Sequence, residues 1–167
     1  MVPLSATEQE EALMSMGIAF DSKLCAVLGR LFKVHPSFDE AMAGVLIDSP
    51  WNTVLVLVAE KIGEWNEVIY KRLQERVTAT LLSRMLSMQE KKLTDLNLIE
   101  PNGVPLDVSE QAVAAMSKLR FVSYSFYGKL VQLATVVLDT YPYGGEFCYA
   151  STHYFYLSDF TLICLNV

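Results

Sequence analysis

Arg30-Leu31-Phe32-Lys33-Val34-His35-Pro36-Ser37-Phe38-Asp39-Glu40 gathers the side chains of this chain best suited to hold a phosphate. Arg30 and Lys33 are fixed cations where an apolar strand is expected to give way to a helix. Open α/β sheets bind ligands beyond the carboxyl ends of their strands, and an anion there gains from helix N-terminal N–H groups as well as from Lys or Arg. His35 has no acidic neighbour in a catalytic spacing and is read as structural, as is His153. Asp139 is read as a turn-stabilising carboxylate, and Glu60 and Glu64 as part of a solvated face. Phe121, Tyr124, Phe126 and Tyr127 form an aromatic cluster that suits core packing. Cys25, Cys148 and Cys164 include no C-x-x-C pair and have no histidine at ligand spacing, so neither a disulfide framework nor a zinc site is indicated.

Positioning these side chains requires strands that end near one another. Lys23 to Leu28 and Arg30 to Val34 read as an apolar strand interrupted by a loop. Pro36 and Ser37 then open a helix with Phe38, Met42, Val45 and Leu46 at helical spacing. Thr53 to Ala59 is a continuous apolar, β-branched run, the pattern of a strand covered on both faces. Ile62, Trp65, Ile69, Leu73 and Val77 make residues 63–78 an amphipathic helix. Leu119 to Tyr124 reads as a third strand, Tyr127 to Ala134 as a short helix, and Thr135 to Asp139 as a fourth strand. Such alternation predicts an α/β fold, a Rossmann-like three-layer domain with a parallel sheet. Residues 85–118 read as an insertion of two weakly helical stretches around Pro101-Asn102-Gly103, residues 1–16 as an N-terminal segment, and 146–167 as a tail.

Composition narrows the class. The chain has 167 residues, 52% hydrophobic and 19% charged, which suits one folded domain with a sizeable core. A formal net charge of -6 disfavours a groove that tracks nucleic-acid phosphates. The start carries Glu8, Glu10 and Glu11 in place of a basic n-region, so no signal peptide is expected. No apolar run reaches the roughly 18 residues of a membrane span. A reducing, cytoplasmic or nuclear location is the expectation.

In this order, Leu31-Phe32-Lys33-Val34-His35-Pro36-Ser37-Phe38-Asp39, the helix around Trp65, Arg120-Phe121-Val122, and Leu133 to Gly145 together resemble the C-terminal catalytic lobe of O-GlcNAc transferase and SPINDLY-like glycosyltransferases. The resemblance covers about residues 17–145 and implies an incomplete GT-B C-terminal lobe that binds a nucleotide sugar, UDP-GlcNAc or a relative, as donor substrate with no further cofactor. It places Lys33 at the donor diphosphate, Arg30 at a polar donor contact and Tyr127 against the uracil, and it makes Gly144-Gly145 the turn whose N–H groups approach the phosphates. It implies inverting transfer to Ser or Thr hydroxyls of intracellular proteins. An N-terminal lobe and tetratricopeptide repeats are expected as partners in a full-length relative, with the acceptor-activating groups largely in the other lobe. The isolated chain is accordingly expected to lack transfer activity.

Past Gly145 the family continues with two phosphate-binding hydroxyl residues and an acid for the ribose. This chain has Glu146, Phe147, Cys148 and, at the acidic position, Ser151. Residues 146–167 are therefore expected to stem from a truncated or mis-spliced reading frame. The rival reading is a non-catalytic Rossmann-like binding or interaction module. A flavodoxin-like or nicotinamide-binding domain is disfavoured because no G-x-G-x-x-G follows the first strand.

Overall fold

The computed structural model describes residues 3–61, 63–89, 106–139 and 161–163. The apolar runs form five short parallel strands, β1 (Lys23–Val27), β2 (Thr53–Val58), β3 (Leu119–Val122), β4 (Val136–Leu138) and β5 (Thr161–Ile163). Their order across the sheet is β3-β2-β1-β4-β5, so the first strand in the chain lies at the centre. The register sets Val27 opposite Leu57 on one side and Leu138 on the other.

Side chains alternate across a strand, and here both faces are covered. Cys25, Val27, Leu55, Leu57 and Leu119 enter one core, against α2 (Asp39–Asp48), α3 (Gly63–Gln89) and α4 (Leu106–Met116). Leu24, Ala26, Val56, Val58, Val122 and Val137 enter the other, against α1 (Ala6–Ser15) and α5 (Tyr127–Leu133). The result is the α/β Rossmann-like three-layer fold. Moving from β1 through β2 to β3 the chain adds strands on one side, then passes through α5 to add β4 on the other. The reversal puts a topological switch point between β1 and β4.

The helices follow from local chemistry. Ile69, Leu73, Val77 and Leu81 are spaced by four and buried, giving α3 one apolar stripe. Ser5 and Glu8 form a reciprocal capping box that starts α1. Gly17, at φ 68°, ends it: its N–H reaches the Met14 carbonyl at 3.0 Å and the Ile18 N–H reaches Leu13 at 3.0 Å.

Two expectations need correction. Arg30 to Val34 is not a strand: Leu31–Lys33 forms a 3-10 turn, closed by Lys33 N–H to Arg30 C=O and Val34 N–H to Leu31 C=O. Burial of Leu31 and Val34 with Phe32 and Lys33 exposed is a period of three, which a turn satisfies and a strand does not. The second helix does not stop at residue 78 but runs to Gln89, because Leu81 carries the stripe onward past Thr78 and Thr80. The N-terminal segment contains α1.

At the end of the 85–118 stretch, α4 sends Val108, Ala112, Ala115 and Met116 into the same core as α3. Within the 146–167 tail, β5 pairs with β4. Among the described residues no helix is long and apolar enough to cross a membrane.

Candidate functional site

The carboxyl ends of β1, β2 and β3 release three short connections onto one rim of the sheet, and their polar and aromatic side chains meet there. From β1 the chain leaves through Leu28, Gly29 and Arg30 into the Leu31–Lys33 turn. From β2 it leaves through Ala59 and Glu60, and from β3 through Ser123 into a second 3-10 turn, Tyr124–Phe126, that opens α5.

Glu60 joins the first two connections. One carboxylate oxygen accepts from Arg30 Nη1 at 2.9 Å and the other accepts the Leu31 backbone N–H at 3.2 Å. Asn66, in the first turns of α3, holds Glu60 in turn: its Oδ1 accepts the Glu60 N–H at 3.1 Å and its Nδ2 donates to the Glu60 carbonyl at 3.4 Å. The Glu60 side chain is only 10% exposed, whereas that of Arg30 is 56% exposed. Screening at that exposure limits the pair to about 1 kcal/mol or less, so its value lies in geometry more than in stability.

Arg30 also reaches the third connection. Its guanidinium carbon lies 5.6 Å from the centroid of the Tyr124 ring, and Tyr124 stacks on Tyr127 with centroids 5.4 Å apart and planes inclined by 27°. The cation-π contact contributes about 0.5–1 kcal/mol at an exposed site. Tyr124 is 53% exposed and so does not belong to the core, contrary to the reading of the aromatic cluster. Phe121, by contrast, packs against the first core, and Phe126 and Tyr127 against the second.

Lys33 lies on the exposed side of its turn and makes no side-chain hydrogen bond or ion pair among the described residues. The turn itself is clamped from both ends. Glu60 takes the Leu31 N–H at its start, and Arg72 of α3 donates to the Val34 carbonyl at 3.2 Å from both terminal nitrogens at its end. Arg72 is held by a two-pronged contact to Asp39, with Nε to Oδ2 at 2.9 Å and Nη2 to Oδ1 at 2.7 Å. Burial raises the Asp39 carboxyl above its ordinary range, and the guanidinium of Arg72 opposes that rise. Asp39 is also the first residue of α2, followed by Glu40, so this helix start carries its own negative charge. His35 Nδ1 accepts the Ser37 N–H at 3.2 Å and caps the small turn before α2, a structural role.

The structure thus brings Arg30 and Tyr127 into one cluster through Tyr124, and leaves Lys33 beside Arg30 in sequence, on a braced turn. Gly144 and Gly145 lie outside the described residues. Sequence reasoning missed Glu60, assigned to a solvated face, and with it Asn66. The signal was available in the position of Glu60, two residues past the last strand residue of a buried run, where a carboxylate meets whatever leaves the neighbouring strand. Among the described residues no three His, Cys, Asp or Glu side chains converge to hold a metal ion. An apolar cavity of about 250 Å³ lined by Lys23, Cys25, Val45, Thr53 and Thr135 opens at the opposite, amino ends of the strands, away from the rim where parallel sheets bind ligands. Set against family models, curated proteins and solved structures, the chain matches none.

Proposed function

We propose that this chain is a nucleotide-sugar-binding lobe resembling that of O-GlcNAc-transferase-like GT-B glycosyltransferases, with a UDP-sugar as donor and Ser or Thr hydroxyls of intracellular proteins as acceptors. The observation that carries the reading is the cluster of Arg30, Glu60, Tyr124 and Tyr127 at the carboxyl ends of a parallel sheet ordered β3-β2-β1-β4-β5, next to Lys33 on a braced turn, its side chain unpaired among the described residues. In this reading the exposed part of the Tyr127–Tyr124 stack offers aromatic surface to the uracil. Lys33 neutralises charge that gathers on the nucleotide diphosphate as the acceptor hydroxyl attacks C1 and the diphosphate leaves with inversion. The groups that activate the acceptor belong to a second lobe, so the chain alone binds donor without transferring it. The cytoplasm or nucleus is the compartment this reading requires.

Titration of the full chain with UDP, followed by calorimetry and thermal shift, tests the proposal. The expected result is saturable binding that Lys33→Ala weakens roughly tenfold or more, as loss of one charge-assisted contact would. Absence of binding at millimolar UDP overturns it. A second reading, a non-catalytic interaction module of the same fold, is favoured by one feature: Glu60 already neutralises the charge of Arg30. That reading expects no UDP binding.

A further inference from the structure

We infer that the Arg30–Glu60 pair reads a vicinal diol, the ribose of the nucleotide, and that Glu60 is the specificity-determining residue of the site. The inference rests on the nucleotide-binding reading above but reassigns the charge chemistry within it. A carboxylate 2.9 Å from the Arg30 guanidinium cancels most of the attraction Arg30 would exert on a phosphate, and itself repels one. What the pair offers instead is an adjacent acceptor and donor. An ionised carboxylate has about four lone-pair positions, and Arg30 and the Leu31 N–H use two of those on Glu60. A guanidinium has five N–H donors, and Arg30 commits one to Glu60.

A hydroxyl group donates and accepts, so of two neighbouring hydroxyls one can donate to Glu60 while the other accepts from Arg30. A phosphate has no proton to give to Glu60 when fully ionised. The half-exposed Tyr124 ring, packed against Arg30 and Tyr127, adds aromatic surface beside the pair for a sugar or base to contact. Asn66 fixes the Glu60 backbone from both its N–H and its carbonyl, so the acceptor is oriented before any ligand arrives. An acid just past the second strand of such a sheet is also where dinucleotide-binding domains hold a ribose hydroxyl.

The test compares UDP with 2′-deoxyuridine diphosphate on the wild-type chain and on Glu60→Gln, a variant that keeps an acceptor for the Leu31 N–H. Wild type is expected to bind UDP at least about tenfold more tightly than the deoxy compound, and Glu60→Gln to lose most of that preference. Equal affinity of wild type for the two overturns the inference while leaving the function standing, and needs no variant to fold. A preference that survives Glu60→Gln overturns the assignment to Glu60. If Glu60→Gln instead strengthens both ligands alike, Arg30 is a phosphate contact held in check by Glu60, and the diol reading fails. Failure of wild type to bind either compound overturns the function and this inference together.

Discussion

Asp39 and Arg72 show how one ion pair can serve the site without touching it. The Asp39 side chain is 6% exposed and that of Arg72 23%, and the same guanidinium spans Asp39 and the Val34 carbonyl. Removing the arginine strands a buried carboxylate, so Arg72→Ala is expected to cost about 2–4 kcal/mol at neutral pH in denaturant unfolding. The pH dependence has a definite sign. Burial already raises the Asp39 pKa, and loss of Arg72 raises it further, so the folded variant favours the protonated form. Its Asp39 term is most favourable below the ordinary carboxylate range and declines as pH rises through the raised value. The deficit of Arg72→Ala relative to wild type is thus expected to shrink on acidification.

Cys25 is the other residue whose environment dictates its behaviour. Burial in the apolar core pushes its thiol up to about 11. At pH 8 it is expected to resist thiol-modifying reagents in the folded chain and to react after denaturation. A Cys25 modified at native-state rates equal to those in denaturant would contradict this. Because the folded pKa is raised, its contribution to stability is complete at neutral pH and falls as pH rises through about 11.

Among the elements, α1 depends on a single backbone conformation. Gly17 adopts a left-handed φ of 68°, and among the described residues beyond itself and its two chain neighbours no heavy atom lies within 4 Å of where a Cβ would stand. Gly17→Ala is therefore expected to cost about 1 kcal/mol through backbone strain, with no crowding component, readable as a lower thermal midpoint. The elements also show what a sequence reveals. Thr53 to Val58 was legible because burial on both faces demands an unbroken apolar run, and Ile69, Leu73 and Val77 because one helix face must be apolar. The Leu31–Lys33 turn was not, since a short apolar run has the same composition whether it is extended or turned. Its conformation depends on acceptors and donors at Glu60 and Arg72, far away in the chain. For the same reason Lys33 and Arg30 could be named from their type and place, while the contacts that join Glu60 to Arg30 and Arg30 to Tyr124 required the strands to be aligned.

At the scale of the molecule, the sheet extends past β4 only because β5 pairs with it, Val137 opposite Leu162. Deleting residues 160–167 is expected to bare the β4 edge and promote self-association, visible as concentration-dependent light scattering against a monodisperse full chain. Unchanged scattering would show that this edge is protected by other means.

The central place of β1 also governs how the molecule assembles. The strand made first is the one on which both halves of the sheet must grow. β2 joins it after one short helical connection, but β4 can join only after β3 and α5 have been traversed. Until then one flank of β1 lies open, its Leu24 carbonyl waiting for the N–H of Thr135, a partner made much later. Folding is therefore expected to be kinetically asymmetric, the β1-β2-β3 half closing through nearer contacts and the β1-β4 seam, which must close the longest loop, setting the pace.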